Sequence, residues 1–241
     1  MEMGRLDRIK LINFLLKQKT DNNYLEIGVF NGHAFFRIKS NFKIAVDPDF
    51  KFGFFRKFTK IFTNPYNIFS KYFQKTSDSF FSEDAPGLFR SKKIDVSLVD
   101  GMHEYAYALR DVENVLKYLD NDGVIIMHDC NPLTEEASIG YDEWIAGGKK
   151  IPWNGDLWKT IVHLRSFRKD VNVFVLDCDH GLGIVTKRTP ENNLNFSVDE
   201  INSLTYHEFN KNRTEWLNLK DPNYIYEYLQ NSKIIRKLSN D

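Results

Sequence analysis

The sequence predicts an α/β fold with a doubly wound, mostly parallel sheet. Three observations carry that expectation. Short apolar runs alternate along the chain with segments of helical period, which implies a parallel sheet covered on both faces. The first run, Tyr24 to Ile27, turns at Gly28 and Gly32, and the second ends on a carboxylate at Asp47. Near residue 180 two apolar runs are joined by Asp177-Cys178-Asp179-His180-Gly181, a hairpin signal that adds one antiparallel edge strand.

The elements follow in order. Leu6, Ile9, Leu11, Ile12, Leu15 and Leu16 have helical spacing with basic residues between, so the N-terminus reads as an amphipathic helix and not a signal peptide. Strand one is Tyr24 to Ile27, a short helix is expected from His33, and strand two is Lys43 to Val46. The pattern then breaks. Phe50 to Lys75 is dense in phenylalanine, tyrosine and basic residues and contains no acid. Gly53 and Pro65 interrupt any single long helix there. A weak third strand precedes the acidic-serine segment Thr76 to Asp84. Strand four is Ile94 to Val99, followed by a helix with Tyr107, Leu109, Val112, Val115, Leu116 and Leu119 on one face. Asn121-Asp122-Gly123 reads as a turn, Val124 to Met127 as strand five, and Cys130 to Asn154 as a long loop. Asp156 looks like the cap of a helix from Leu157 to Phe167. Val171 to Leu176 and Leu182 to Thr186 form the hairpin, and the polar tail carries helices at Val198 to Trp216 and Tyr224 to Leu238. Residues 1–190 are therefore read as one domain, with an aromatic, basic insertion at 51–75 and a lid loop at 130–155. Residues 191–241 are a helical extension, either an extra layer over the sheet edge or part of a dimer contact.

Composition sets limits. The net charge is zero, so the chain as a whole offers no electrostatic case for nucleic acid. Cys130 and Cys178 lack the spacing of a zinc site, and two lone cysteines point to a reducing, cytoplasmic compartment. No stretch approaches the roughly 18 apolar residues of a membrane span.

Ligands of such folds sit outside the carboxyl ends of the strands. Glu26, Asp47, Asp100 and Asp129 all end strands or follow their first turns. Each alone could be a cap or a solvated turn residue; four at one edge point to a site. A glycine turn after one strand and an acid at the tip of the next would hold a nucleoside. A nicotinamide enzyme would want G-x-G-x-x-G, yet the string is Gly28-Val29-Phe30-Asn31-Gly32, without the phosphate cradle. A nucleoside with a charged amino-acid tail fits better, with Glu26 facing positive charge.

Glu26-x-Gly28-x-x-x-Gly32, Asp47, Asp100-Gly101-Met102-His103-Glu104-Tyr105 and the His128-Asp129 pair together resemble the class I S-adenosylmethionine-dependent methyltransferases. The branch is that of small-molecule O-methyltransferases with D-G-x-H-x-Y after strand four. The resemblance covers about residues 22 to 188 and implies a Rossmann-like sheet with an antiparallel last strand. It implies that Gly28, Gly32 and Glu26 lie by the amino-acid part of the cofactor, that Asp47 binds the ribose, and that Asp78 and Ser79 lie near the adenine. Asp100 stands by the cofactor and the catalytic centre, with His103 as general base. In metal-dependent relatives, acids at the positions of Asp100 and Asp129 hold one divalent ion such as Mg²⁺. Those relatives supply an Asp or Asn after the second acid; here that position is Cys130, for which Asn131 or a water would have to substitute. Metal use stays open. His128 reads as a packed histidine and His180 as a solvated one.

The expected activity is methyl transfer to a hydroxyl of a small molecule or saccharide. Tyr141, Trp144 and Trp153 are candidate stacking faces for that acceptor, or a packed helix start. For residues 51–75 three readings compete: a cap over the site or against a second subunit, contact with anionic lipid, and stacking on single-stranded nucleic acid. A non-catalytic binding module that uses this segment for a membrane or protein partner is the alternative function.

Overall fold

The computed structural model describes residues 6–234. Eight strands form one sheet: β1 (Asn23–Ile27), β2 (Phe42–Val46), β3 (Ser70–Phe73), β4 (Ile94–Val99), β5 (Leu119–Met127), β6 (Asn172–Leu176), β7 (Leu182–Thr186) and β8 (Leu219–Lys220). Their spatial order is β3-β2-β1-β4-β5-β7-β6-β8, and β7 alone runs antiparallel, to both β5 and β6. The helices are α1 (Arg8–Lys17), α2 (Phe54–Thr63), α3 (Ser77–Glu83), α4 (Ala85–Leu88), α5 (Tyr105–Tyr118), α6 (Tyr141–Ala146), α7 (Trp158–Phe167), α8 (Val198–Ser203), α9 (Tyr206–Trp216) and α10 (Tyr224–Asn231).

Alternation along the strands builds two cores. Leu25, Ile27, Ile44, Val46, Ile125 and Met127 face the cluster that holds α5 and α7. Tyr24, Ala45, Val96, Leu98, Val124 and Ile126 face the other, under α1 and α10. Both sheet faces are thus dry, as a parallel sheet requires. Among the described residues, no helix is long and apolar enough to cross a membrane.

Several expectations need correction. The antiparallel strand is not at the edge: every residue of β7 is buried, and it sits between β5 and β6. The edge is β8, contributed by the tail, which also sends Phe209 and Trp216 into one core and Ile225 and Leu229 into the other. Asn121-Asp122-Gly123 is not a free turn but a bulge inside β5, where the register with β4 shifts between Ile94 and Val96. The helix expected from His33 is a single 3₁₀ turn, Phe35–Arg37. The segment Val198 to Trp216 splits into two helices, because Ser197 with Glu200 and Thr205 with Glu208 form two capping boxes. The last helix ends at Asn231, and the expected continuation over residues 235–238 lies outside the described residues. Asp156 does not cap its own helix: its Oδ1 accepts from the Tyr105 amide at 2.7 Å and so starts α5.

The aromatic insertion contains β3 itself. Gly53 is the N-cap of α2, and Pro65 opens a 3₁₀ helix after it, so the two breakers act where expected. Polar anchors hold this segment. Lys43, fully buried on β2, donates to Phe35 O, Ile38 O and Asn67 Oδ1 at 2.6 to 2.9 Å. Burial pulls the Lys43 pKa down to about 7, but three acceptors for three N–H donors and the Phe35 ring below it are the surroundings of an ammonium. Asn64 and Asn67 add amide bonds to Phe36 O, Ile38 O and Lys60 O. Lys43→Met strands the Asn67 oxygen in the interior, and about 1–3 kcal/mol of stability should be lost. Urea unfolding checks this, and a midpoint equal to the wild type would remove Lys43 as the anchor.

Candidate active site

The carboxyl ends of β1, β2, β4 and β5 meet at one edge of the sheet, because these strands are parallel and in register. The turn after β1 is unusually constrained. Gly28, Phe30 and Gly32 all have left-handed backbone, at φ +80°, +48° and +75°. Gly28 donates to Val46 O, and its α-carbon lies so close to β4 that a Cβ would stand 2.0 Å from the Asp100 carbonyl oxygen. A non-glycine residue held at positive φ is a strained feature of the kind found at ligand sites. Asp47 explains how Phe30 is held: its Oδ2 accepts from the Phe30 amide at 2.7 Å, and its Oδ1 from the Asp49 amide at 2.7 Å. Asp47 therefore ties the tip of β2 to the glycine turn.

Glu26 is buried, and the Tyr24 hydroxyl donates to its Oε2 at 2.6 Å. Burial pushes its pKa up to about 8, against the help of that hydrogen bond, so the carboxyl is neutral at pH 7 in the absence of a cation beside it.

His103 follows β4 and lies between both acids. Its Nδ1 donates to the Trp153 carbonyl at 2.9 Å, and its Nε2 meets Asp100 Oδ1 at 3.2 Å; Nδ1 is also 3.5 Å from Asp129. Trp153 stacks on the ring, with centroids 5.3 Å apart. Burial works against the charged imidazole, but the hydrogen bond and charge of Asp100 and the charge of Asp129 win, and the His103 pKa is raised above 6.5. Gly155 fixes this loop: it has φ +62°, and a Cβ there would stand 1.8 Å from the His103 carbonyl oxygen. The 130–155 segment thus brings Tyr141, Trp144 and Trp153 together as one aromatic cluster beside His103.

Asp129 follows β5 in left-handed conformation at φ +60°, and Asn154 donates to its Oδ1 at 2.9 Å. Asp100, His103 and Asp129 each offer one ligand atom, and the three atoms lie within 4.8 Å of one another. Asn131 is committed elsewhere. Its amide donates to Asp177 and its oxygen accepts from Arg213. The Cys130 thiol is buried against the carbonyls of Met127 and His128.

Three residues that the sequence did not flag complete the network. His128 is not merely packed: its Nδ1 is 2.9 Å from Asp129 and 3.3 Å from Asp100. Its Nε2 is 2.7 Å from the Arg8 guanidinium, and Arg8 also binds both oxygens of Asp179 at 2.9 and 3.0 Å. Burial disfavours a charged His128 while Asp100, Asp129 and Asp179 draw its pKa up to about 11. The Arg8 contact decides against the charged form, because two N–H groups cannot face each other at 2.7 Å. The geometry is that of Nδ1–H on Asp129 and an Nε2 lone pair on Arg8. Against their burial, Asp100, hydrogen-bonded to His103, and Asp179, bound by Arg8, are both held below the ordinary carboxylate range. A cavity of about 370 Å³ opens on the other side of Asp179, lined by Leu6, Asn131, Leu133 and His180 among others.

Asp78 and Ser79 lie on the first turn of α3. Asp78 is exposed and paired with Arg110 at 3.1 Å, and the Ser79 amide is capped by Thr76. The neighbouring Asp111 of α5 is a further candidate on that side. It is buried below the Gly101 turn, and burial pushes its pKa up to about 7 despite a bond from Ser77.

A family model described as a methyltransferase domain matches residues 25–130, which span β1 through β5 and the whole Gly28-to-Asp129 constellation. This stretch is similar to the methyltransferase domains that the model describes. Solved structures agree on the fold. The O-methyltransferase TomG from Streptomyces achromogenes, solved with S-adenosylmethionine, is 14% identical, with a TM-score of 0.51, covering 75% of this chain and 79% of that one. An O-methyltransferase from Bacillus cereus, in complex with S-adenosylhomocysteine, is 12% identical with TM-score 0.51, covering 77% of this chain and 84% of that one. A Corynebacterium glutamicum protein is 15% identical with TM-score 0.52, again over 77% and 84%. No curated protein matches the sequence. The mostly parallel sheet with its single reversed strand is that of the class I methyltransferases. Within the matched stretch the β1 turn, Asp47 and the β4 and β5 acids stand where the sequence order puts them, at one sheet edge.

Proposed function

We propose that the chain is an S-adenosylmethionine-dependent O-methyltransferase acting on a hydroxyl of a small molecule or saccharide. The observation that carries this reading is the placement of His103 against Asp100, one backbone contact away from the crowded Gly28 turn. Gly28 and Gly32 leave bare backbone for the amino-acid part of the cofactor, and Asp47, already fixed by two amides, offers its remaining lone pairs to a ribose diol. Glu26 faces the cofactor's ammonium, and Asp78 and Ser79 lie toward the adenine. When bound, the sulfonium supplies an electrophilic methyl group. His103 accepts the acceptor's hydroxyl proton at Nε2, with Nδ1 held by Trp153 O, and Trp153 with Tyr141 and Trp144 walls off water. The deprotonated oxygen would take the methyl group that the bound cofactor supplies, with the thioether as leaving group.

The residues present fit a divalent ion as well: two carboxylates and an imidazole converge at Asp100, His103 and Asp129. Bound there, such an ion would lower the pKa of the acceptor hydroxyl. Removing metal with a chelator and restoring Mg²⁺ tests this use independently of the cofactor.

The primary test is calorimetric titration with S-adenosylhomocysteine. Binding is expected, and at pH 7 no proton should leave Glu26, which is then still neutral, unless the ammonium meets it. Meeting it lowers a pKa near 8 and releases a proton, seen as a heat that varies with the buffer's ionisation enthalpy. Absence of binding overturns the reading, and binding without proton release removes Glu26 from the ammonium.

A further inference from the structure

The helix α2 buries none of its ten residues. Phe54, Phe58 and Phe62 form a ladder at i, i+4 spacing, with ring centroids 6.5 and 5.2 Å apart. Phe54, Phe55 and Phe62 are 83%, 79% and 75% exposed, and Ile68 and Phe69 of the following 3₁₀ helix extend the ridge. A monomeric protein rarely leaves contiguous apolar surface of this kind uncovered. The ridge is not held out by chance: the segment is pinned from below by Lys43, Asn64 and Asn67 through buried hydrogen bonds. Lys57 is turned inward over Phe50, Phe52 and Tyr72, which leaves the phenylalanines on the outer face.

Charge selects the occupant. The chain is neutral overall, yet residues 50–75 contain no acid; Lys51 pairs with Asp49, Lys75 with Glu83 and Asp84, and Lys57 is turned inward, which leaves Arg56, Lys60 and Lys71 as the segment's other basic groups. In a twofold pair built on this ridge each copy would bring the same basic face to the other. A bilayer with anionic headgroups meets both features, since phenylalanines enter the acyl boundary and basic residues stay among the headgroups. We propose that α2 and the 3₁₀ helix after it dock this protein onto an anionic lipid surface. The Lys51 amide donates to Phe30 O at 2.9 Å, so the docking segment leaves directly from the strained turn beside Asp47. Docking thus brings the edge that holds the active site close to the lipid surface.

Flotation of the full chain with vesicles tests this, and it does not depend on the methyl-transfer reading. Vesicles of equal parts phosphatidylcholine and phosphatidylglycerol should carry the protein, and pure phosphatidylcholine vesicles should carry about tenfold less, with binding weakened by salt. The Phe58→Asp, Phe62→Asp double variant, whose rings touch only the exposed ladder among the aromatic contacts, should bind at least about tenfold more weakly. Its circular dichroism and affinity for S-adenosylhomocysteine should match the wild type. Arg56→Glu, a variant on an exposed residue, should weaken binding in the same direction. No flotation, equal flotation with neutral vesicles, or a dimer that this double variant dissociates would each overturn the proposal.

Discussion

His103→Ala should lower turnover by about 10²–10⁴-fold, the range a positioned general base supplies, while the affinity for S-adenosylhomocysteine stays within about twofold. The separation follows from position. His103 touches Asp100, Asp129 and Trp153, whereas the groups assigned to the cofactor are reached from the Gly28 turn and Asp47. The pH profile carries the sign. Only neutral imidazole accepts a proton, and the carboxylates raise the His103 pKa above 6.5. The wild-type rate should therefore rise with pH through an inflection above that value, and the variant should lose this limb. Single-turnover rates across pH check it. A variant that keeps the limb, or whose turnover excess Mg²⁺ restores, would make His103 a ligand and not the base.

Gly28→Ala should cost more than about 4 kcal/mol of stability, in the range reserved for severe steric defects. The added carbon would stand 2.0 Å from Asp100 O and 2.4 Å from Gly101 Cα, both backbone, at a φ of +80° that alanine rarely adopts. No side chain can swing away to make room. Either β1 and β4 separate at their carboxyl ends or Asp100 moves. A chain that still folds should lose cofactor affinity along with His103's hydrogen bond. Urea unfolding and calorimetry on the same preparation read both effects. Wild-type stability with intact affinity would show that the turn is not crowded.

The two predictions concern residues with different histories in the sequence. Gly28, Asp47, Asp100 and Asp129 could be found there because a strand end is a local event: an apolar run stops and a glycine or acid follows. His103 came with Asp100 through a three-residue spacing. Arg8, His128 and Asp179 could not be found the same way. Arg8 and Asp179 are 171 positions apart and meet only because α1 and the β6–β7 hairpin lie over the same sheet edge. Strand alternation makes His128 a packed residue, but it follows β5, where the chain turns at Asp129 with φ +60° and alternation no longer applies. Asp156 shows the same limit. Its local signal as a helix cap was real, yet its carboxylate caps a helix that starts 51 residues earlier. β7 is interior because it pairs with both β5 and β6, and β6 itself is covered by a tail strand of two residues, too short for any periodic signal.

By itself, the sequence determined the alternation of strands and helices, the glycine turn, the acids at the strand ends and the break of the aromatic insertion at Gly53 and Pro65. Those are properties of neighbours in the chain, set by backbone freedom and side-chain period. Only the tertiary structure decided which way Asn131 and His128 turn, that Trp153 and Gly155 fix His103, that Lys43 is buried as an anchor, and that the α2 phenylalanines stay outside. These depend on contacts between distant segments, where burial and the pairing of polar groups override local preference.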